Sequence, residues 1–242
     1  MTIEMPTEAN PVVVVCGDAL DVLRAMPDGC VDAVVTDPPY GIDGGRGGDA
    51  KDFAKGKYRG GWADTEEYVA GVVIPAIRDC LRVAAAAAVT PGVRCQHLYP
   101  RPADVGCFWT PAAATHGPWG FTTYQPILYF GRDWRAGRGA LPSGRVVTEA
   151  AEKNGHPCPK PIGAWRWLVD KVCPPGGVVL DPFAGSGTTG VAAVAEGRRA
   201  VLVEREPKYA EICRRRVAEA LGVGKGSLLR ATLPDLFTGV GE

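Results

Sequence analysis

The chain has 242 residues with 27 basic and 27 acidic side chains, so a strongly polybasic protein is excluded, although local basic patches are not. Hydrophobic residues make up 46% and charged residues 22%, which excludes a disordered or fibrous protein. The longest apolar run, Val83–Val89, is far shorter than the ~20 residues of a membrane-spanning helix, and the N-terminus resembles no secretion signal. The 8 cysteines form no C-x-x-C pair, so we expect reduced thiols in a cytoplasmic protein.

The first ninety residues alternate short apolar runs with helical patterns, which predicts a parallel sheet with crossover helices. In chain order, the predicted elements are a strand at Val12–Val15, a short helix capped by Asp18, a strand at Val31–Thr36, a helix from Asp64 to about Arg82 and a strand at Ala84–Thr90. Pro75 is expected to kink or split the second helix, because proline has no N–H group to donate.

The regular pattern weakens in the middle of the chain and returns near residue 162. The predicted elements here are strands at 106–110 and 124–130, a helix at Trp165–Val172, a strand at Val178–Leu180, a helix at Thr188–Glu196, a strand at Ala200–Val203 and a helix at Tyr209–Leu221. Residues 41–62 are a loop rich in glycine and basic residues, and residues 131–160 are an irregular insertion. We therefore predict a single α/β domain over 1–242.

A glycine-rich segment follows one predicted strand and opens the next helix. It consists of Asp181, Pro182, Phe183, Ala184, Gly185, Ser186, Gly187, Thr188, Thr189 and Gly190. Glycines let the backbone approach a ligand closely, and the first N–H groups of the helix point at it. Glu204 closes the next strand about 20 residues later, where a carboxylate binds ribose hydroxyls in nucleotide-binding folds. No lysine follows Gly187, so the segment predicts a nucleotide-type site other than an ATP-binding P-loop.

A second polar segment, Asp37-Pro38-Pro39-Tyr40, directly follows a buried predicted strand. Its two prolines form a rigid lip that offers carbonyl groups. An exocyclic amine donates one hydrogen to Asp37 and one to the Pro38 carbonyl in such a lip, while Tyr40 offers an aromatic face on which a base stacks. The segment therefore predicts a site for a base that carries an amine.

Together the two segments resemble the motifs of the DNA amino-methyltransferases, which use S-adenosylmethionine. Asp37–Tyr40 is similar to the catalytic motif, and Asp181–Gly190 is similar to the cofactor motif. The catalytic motif comes first, as in the permuted β group, and the resemblance covers roughly residues 12–221. Trp119-Gly120-Phe121 followed by Gln125-Pro126-Ile127-Leu128 resembles a segment that is common in compact phage-type members of the family. Gly17–Leu20 resembles the turn that holds the cofactor's adenine. His156–Pro161 resembles the segment that touches the methionine end, except that Pro159 stands where the family usually has Glu or Gln.

The resemblance implies a Rossmann-like methyltransferase fold with a mostly parallel sheet and an antiparallel edge strand. It implies direct methyl transfer to a base flipped out of double-stranded DNA, with catalytic roles for Asp37, Pro38, Pro39 and Tyr40. The expected cofactor-binding residues are Asp18, Ala19, Asp37, Lys160, Pro161, Asp181, Pro182, Phe183, Ala184, Gly185, Ser186, Gly187, Thr188 and Glu204. Target recognition is expected from an insertion at about 91–160. No metal ion is expected, because the His and Cys spacing matches no usual zinc pattern.

Two loops, residues 46–59 and residues 132–145, each carry a local net charge of +3 and are candidates for phosphate contacts beside the target base. The candidate residues are Arg46, Lys55, Lys57 and Arg59 in the first loop and Arg132, Arg135 and Arg138 in the second. A second copy of the chain and a cognate restriction enzyme are candidate partners.

Three functions stay open at this point. The first is methylation of adenine N6, which the family associates with Asp rather than Ser at position 37. The second is methylation of cytosine N4, because both amines fit the same lip. The third is a non-catalytic nucleic-acid-binding regulator, which the intact Asp37, Tyr40, Gly185 and Gly187 disfavour.

Overall fold

A computed structural model gives the fold and describes residues 3–42, 64–111, 115–117, 120–156, 158–222 and 230–232. The strands are β1 (Val12–Cys16), β2 (Val31–Thr36), β3 (Ala84–Val89), β4 (Asp104–Trp109), β5 (Thr115–Gly117), β6 (Gly120–Thr122), β7 (Tyr124–Gly131), β8 (Arg145–Val146), β9 (Val178–Asp181), β10 (Arg199–Glu204) and β11 (Arg230–Thr232). The helices are α1 (Ala19–Ala25), α2 (Ile74–Val83), α3 (Ile162–Val172), α4 (Thr188–Ala195) and α5 (Pro207–Leu221), with a 3₁₀ turn at Gln96–Leu98. The strands and helices predicted from the sequence are present.

Nine of the described strands form one sheet in the order β11-β1-β10-β9-β2-β3-β7-β4-β8. Strand β7 runs antiparallel to both of its neighbours, and every other recorded pair in this sheet is parallel. The mostly parallel α/β fold is therefore confirmed. The antiparallel strand lies inside the sheet, because β4 and β8 extend the sheet beyond it.

Side chains of the central strands alternate between two helical layers. Val13 and Val15 of β1 pack with α1 and α2 on one face, whereas Val12 and Val14 pack with α4 and α5 on the other. Helix α3 covers the second face beside β2 and β3. Because both faces are buried, these strands are continuous apolar runs rather than alternating patterns.

The helix predicted from Asp64 to about Arg82 is split, as expected from its proline. One helical turn, Glu66–Tyr68, leads into a π-helical stretch, Val69–Val73, and α2 begins at Ile74. Pro75 thus lies in the first turn of α2, where a missing N–H leaves no hydrogen bond unmade. Val69 and Val73 still face the core through the π-helical stretch.

The range 91–160, predicted as an insertion, contributes two full strands to the main sheet. Strands β4 and β7 pair from Asp104–Tyr129 to Trp109–Tyr124, whereas the pairing of β7 with β3 ends at Leu128. The last four residue pairs of this β4–β7 ribbon therefore extend about 13 Å past β3, at ~3.3 Å per residue. The hairpin β5–β6 connects the two strands. The sequence did not predict β5, β6, β8 or β11, because strands of two or three residues carry no periodic pattern.

The parallel strands all end at one edge of the sheet, here called the carboxyl edge. The polar residues at or just after these strand ends are Asp18, Asp37, Thr90, Asp181 and Glu204. Strand β7 ends at the opposite edge, since Gly131 pairs with Ala86 near the start of β3. Open α/β sheets bind ligands at the carboxyl edge, so the fold gathers most of the predicted site residues there. None of the described helices is long and apolar enough to cross a membrane.

Candidate functional site

Asp37 is the centre of a hydrogen-bonded cluster just after β2. Its Oδ1 accepts hydrogen bonds from the Tyr40 hydroxyl at 2.5 Å, the Thr90 hydroxyl at 2.5 Å and the Gln125 amide at 3.0 Å. Its Oδ2 pairs with the Lys160 ammonium at 2.5 Å. Three donors saturate Oδ1, so Oδ2 is the oxygen that another donor reaches once Lys160 moves away.

The Tyr40 hydroxyl also makes hydrogen bonds with Asp37, Lys160 and Gln125. It donates to Asp37 and accepts from Lys160 at 3.0 Å and from Gln125. The Lys160 ammonium also lies 5.1 Å from the centroid of the Tyr40 ring. Burial and the Asp37 carboxylate raise the pKa of Tyr40, so its hydroxyl keeps its proton. Burial alone lowers the pKa of Lys160, but Asp37 and Tyr40 outweigh it, so this pKa lies above its ordinary value and the ammonium is charged.

The chain after Tyr40 is fixed by close backbone contacts. The Gly41 N–H donates to Asp64 Oδ1 at 2.6 Å, and a Cβ atom at Gly41, whose φ is +67°, would lie 2.6 Å from the Cys95 sulfur. Gly92 packs against the ring of Tyr40, where a Cβ atom would lie 2.7 Å from Cγ. Gly92 therefore packs against the Tyr40 end of the predicted lip, and Gly41 lets the chain that follows it pass close to Cys95.

Asp181 anchors the glycine-rich segment from inside the protein and is only 3% exposed. Its Oδ1 accepts from the Thr36 hydroxyl at 2.7 Å and the Phe183 N–H at 3.1 Å, and its Oδ2 accepts from the Thr189 hydroxyl at 2.5 Å. Burial raises the pKa of Asp181 to about 6, although these hydrogen bonds oppose the rise. Thr36 directly precedes Asp37, so β2 connects the two predicted motifs.

Gly185 lies at the partly exposed turn of this segment. Its φ is +53°, and a Cβ atom there would lie 3.1 Å from His156 Nε2. The Gly185 N–H donates to Glu204 Oε2 and the Glu206 N–H donates to Glu204 Oε1, both at 2.8 Å. Burial raises the pKa of Glu204, and these two bonds lower it. Each carboxylate oxygen of Glu204 still has a lone pair for a ligand hydroxyl.

Most of the other predicted cofactor residues in this segment are buried. The buried ones are Pro182, Ala184, Ser186, Gly187 and Thr188. Arg216 of α5 donates to the Ser186 carbonyl at 2.8 Å and to the Ser186 and Thr188 hydroxyls at 3.2 Å each. The hydroxyls of Ser186 and Thr188 therefore fix the turn through buried hydrogen bonds with Arg216. Asn154 supports the same turn by donating to the Ser186 hydroxyl at 3.1 Å.

The remaining predicted cofactor residues lie at two places of the carboxyl edge, one after β1 and one beside the end of β2. Asp18 caps α1, because its Oδ1 accepts from the Leu20 N–H at 2.9 Å, and Ala19 is buried behind it. Pro161 is the N-cap of α3. The residue before it, Lys160, contacts Asp37 and Tyr40, so the structure assigns its ammonium to the Asp37 cluster.

The two loops predicted to bind DNA differ in position. Arg46, Lys55, Lys57 and Arg59 lie outside the described residues. Arg132, Arg135 and Arg138 follow β7 at the edge of the sheet opposite to Asp37, because β7 runs antiparallel. Arg135 also pairs with Asp170 at 2.6 Å and lies over the Trp134 ring, 4.6 Å from its centroid. This geometry argues against phosphate contacts by the second loop beside a base at Asp37.

Three residues of the site escaped the sequence reasoning. Thr90 and Gln125 reach Asp37 across 53 and 88 residues of chain, and neither was predicted as a site residue. Thr90 carried a weak signal, since a polar residue at the end of a buried strand lies at the carboxyl edge. Arg216 also carried one, because it lies beside Val217 on the apolar face of an amphipathic helix.

The two groups of residues can do complementary chemistry. The end of β1, β9 and β10 offers the carboxylates of Asp18 and Glu204 beside an open glycine turn, which suits the hydroxyls and amine of a nucleoside-type cofactor. The end of β2 offers Asp37 and Tyr40, which suit a planar base with an amine. Among the described residues, no group of three or more His, Cys, Asp or Glu side chains could hold a metal ion.

Comparisons with known proteins agree with this chemistry. Residues 103–215 match the model of the DNA methylase family. The putative methylase YubD of Escherichia coli is 30% identical over 215 residues, which cover 84% of this chain and 88% of YubD. The DNA adenine methyltransferase YhdJ of Escherichia coli is 35% identical over 103 residues, which cover 36% of this chain and 35% of YhdJ.

Solved structures share the fold. The putative DNA modification methylase TTHA0409 of Thermus thermophilus, in complex with S-adenosyl-L-methionine, aligns with a TM-score of 0.57 and 24% identity over 91% of this chain and 97% of its own. The PvuII DNA methyltransferase, which is cytosine-N4-specific, aligns with a TM-score of 0.62 and 15% identity over 89% of this chain and 90% of its own.

The fold and the site thus define a Rossmann-like methyltransferase. The chain belongs to the DNA methylase family, and it is an S-adenosylmethionine-dependent DNA (adenine-N6 or cytosine-N4) methyltransferase. This membership decides against the non-catalytic regulator.

Proposed function

We propose that the chain methylates N6 of adenine at a specific site of double-stranded DNA. The observation that carries this proposal is the Asp37 carboxylate, whose Oδ1 is held by three donors while Oδ2 pairs with the Lys160 ammonium, a place that an amine hydrogen can take. Asp at this position favours adenine by resemblance, and the similarity to the adenine methyltransferase YhdJ supports the same target. Cytosine N4 is the alternative, because its amine also has two hydrogens.

The flipped base enters where the Lys160 ammonium now lies. Asp37 Oδ2 accepts one amine hydrogen and the Pro38 carbonyl accepts the other, which aims the nitrogen lone pair at the methyl group. Pro39 keeps the lip rigid, and Tyr40 stacks on the base with the ring face that Lys160 covers. The negative charge of Asp37 stabilises the positive charge that develops on the amine nitrogen as the nitrogen–carbon bond forms and the methyl–sulfur bond breaks. S-adenosylhomocysteine leaves, and the surplus amine proton passes by way of Asp37 Oδ2 to water.

S-adenosylmethionine, when bound, supplies an electrophilic methyl group beside Asp37. Glu204 accepts hydrogen bonds from the ribose hydroxyls, Asp18 accepts one from the adenine amine, and the backbone at Phe183 and Gly185 lines the approach. Asp181 keeps this turn in place through Thr189 and Thr36. The other predicted cofactor residues shape the pocket but offer the cofactor no free polar side chain. They are Ala19, Pro161, Pro182, Ala184, Ser186, Gly187 and Thr188.

DNA contacts outside the flipped base come from two segments. The first loop supplies Arg46, Lys55, Lys57 and Arg59 to the phosphates; its two ends are joined beside Tyr40 by the hydrogen bond between Gly41 and Asp64. The β4–β7 ribbon is the part of the insertion 91–160 that extends from the carboxyl edge, and a two-stranded ribbon is narrow enough for the major groove. Both segments belong to one methyltransferase domain over 1–242.

Methylation of mixed-sequence DNA tests the proposal. The chain is incubated with genomic DNA and labelled S-adenosylmethionine, and modified bases are mapped by sequencing. We expect N6-methyladenine at one recurring short sequence. N4-methylcytosine at that sequence would select the alternative, and unlabelled DNA would contradict methyl transfer to either base.

Two partners belong to the same proposal. A cognate restriction enzyme is supported by the type II methyltransferase M.HinfI of Haemophilus influenzae, which is 40% identical over 73 residues, 30% of this chain and 20% of M.HinfI. Cleavage of unmethylated but not methylated DNA by an enzyme encoded beside this chain would identify it. A homodimer is tested by sedimentation of the purified chain with and without DNA.

A further inference from the structure

We infer that Gln125 is a specificity-determining residue that reads the ring nitrogen next to the target amine. This inference deepens the proposed function and rests on the role of Asp37 in it. Gln125 lies outside the catalytic and cofactor motifs and enters the site from β7; the segment Gln125–Leu128 resembles one of compact phage-type members, but that resemblance gives Gln125 no role.

The position of Gln125 follows from the atoms that it shares with Lys160. Both side chains donate to the Tyr40 hydroxyl, and both donate to Asp37, Gln125 to Oδ1 and Lys160 to Oδ2. A carboxylate only accepts hydrogen bonds, so the Gln125 amide must turn its NH₂ group towards Asp37. A base amine that replaces the Lys160 ammonium therefore has the Gln125 NH₂ group as its neighbour.

The bases differ in what they offer at these two places. Adenine and cytosine carry an amine next to a ring nitrogen that accepts a hydrogen bond, which matches an acceptor (Asp37) beside a donor (Gln125). Guanine and thymine carry a carbonyl oxygen next to a ring N–H, so both contacts would be repulsive. The Asp37–Gln125 pair thus selects the two bases whose amines the family methylates and rejects the other two.

Gln125 has one NH₂ hydrogen on Asp37 and one on Tyr40, and Asp37 Oδ1 has two further donors. Tyr40 and Thr90 therefore still hold Asp37 when Gln125 turns one hydrogen to a base. None of the described residues donates to the Gln125 carbonyl oxygen, so this side chain is free to make that small rotation.

A double-mutant cycle, in which Gln125 and the ring nitrogen of the target base are changed singly and together, tests the inference. Duplexes carry the mapped target base either unchanged or with the ring nitrogen replaced by CH, as 1-deazaadenine for adenine or 3-deazacytosine for cytosine. The wild type and Gln125→Leu are compared on both duplexes by kcat/KM. We expect kcat/KM of the wild type to be at least about tenfold lower on the deaza duplex than on the unchanged duplex, as for one missing hydrogen bond. For Gln125→Leu we expect the same kcat/KM on both duplexes, because the variant has no hydrogen bond to lose.

Controls separate this role from a structural one. Gln96→Leu, the same change at an exposed residue of the 3₁₀ turn, should show the wild-type difference between the duplexes. Equal losses by the wild type and Gln125→Leu on the deaza duplex would mean that Gln125 only props Asp37, and this would overturn the inference. Equal rates of the wild type on both duplexes would overturn it without any variant. Absence of methyl transfer by the wild type to the unchanged duplex would instead contradict the proposed function.

Discussion

The two halves of the site are held in different ways. In the glycine-rich turn, two contacts join near neighbours, since Thr189 bonds Asp181 across 8 residues and Gly185 bonds Glu204 across 19, and one long-range contact, from Thr36 to Asp181, adds to them across 145 residues. In the Asp37 cluster, Thr90, Gln125 and Lys160 come from 53 to 123 residues away. The first half is centred on a local turn whose geometry glycine permits and which the sheet then fixes through Thr36 and Glu204, whereas the second half is made mainly of contacts between residues distant in the chain.

This difference predicts how each half responds to mutation. A local turn depends on backbone conformation, so a side chain added to it disturbs binding directly. A cluster of distant residues depends on several partners at once, so removing one member weakens chemistry more than fold. Variants in each half of the site test this contrast.

The largest effect is expected for Asp37→Ala. It removes the acceptor of the amine hydrogen, so we expect methyl transfer to fall at least ~100-fold while cofactor affinity stays within about threefold. Asp37→Asn, which keeps the shape and leaves the Lys160 ammonium with an oxygen, controls for loss of fold. Rates within a few-fold of the wild type would refute the role of Asp37.

Asp181→Asn should change the pH dependence of stability. The pKa of Asp181 is raised to about 6 in the folded protein, so the folded state binds more protons than the unfolded state between about pH 4 and 6. The contribution of Asp181 to the free energy of unfolding is therefore present below pH 4 and lost as pH rises towards 6. Chemical denaturation at pH 4 and pH 7 should show the wild type losing up to ~3 kcal/mol relative to the variant. The same pH dependence of the free energy of unfolding in the wild type and in Asp181→Asn would contradict the raised pKa of Asp181.

Gly185→Val should weaken S-adenosylmethionine binding by roughly 10- to 100-fold, because Cβ lies 3.1 Å from His156 and φ is +53°. Calorimetric titration measures the affinity. Gly197→Ala is the matched control, since Gly197 has a φ of +67° but no atom within 4 Å of a Cβ. That variant should lose some stability and keep the affinity.

Lys160→Met separates the two halves of the site. Lys160 contacts Asp37 and Tyr40, so we expect about a tenfold loss in the rate of methyl transfer, while the cofactor affinity changes by less than about twofold. The resemblance instead connects this residue with the methionine end of the cofactor. A large loss of cofactor affinity at an unchanged rate would favour that assignment.

The smallest effect is expected for the double change of Arg132 and Arg138 to Ala. Both are exposed and lie at the edge of the sheet opposite to Asp37. The slope of log K against log salt for DNA binding should therefore stay unchanged. Changing Arg46, Lys55, Lys57 and Arg59 to Ala should flatten it by ~0.9 for each phosphate that no longer has a basic partner. A flatter slope for the variant with Arg132 and Arg138 changed would mean that DNA also contacts the edge of the sheet opposite to Asp37.

Much of the fold and half of the site could be predicted from the sequence. The runs at β1, β2, β9 and β10 are buried on both faces, so their composition alone marks them as parallel strands. Asp181 and Gly185 were found because a strand, a glycine turn and a helix follow each other without interruption. The contact between Gln125 and Asp37 could not be predicted, because the two residues are 88 positions apart in the chain.

The local chemistry of this protein follows from its amino-acid sequence alone: a rigid Asp-Pro-Pro-Tyr lip, a glycine turn and the order of strands and helices. Each of these depends on residues close in the chain, through backbone conformation and hydrophobic periodicity. Tertiary structure was needed to place Lys160 on Asp37, to turn Ser186 and Thr188 towards Arg216, and to put Arg132 away from the site. Those outcomes depend on sheet order and on the antiparallel direction of β7, which residues distant in the chain fix together when both faces of the sheet are buried.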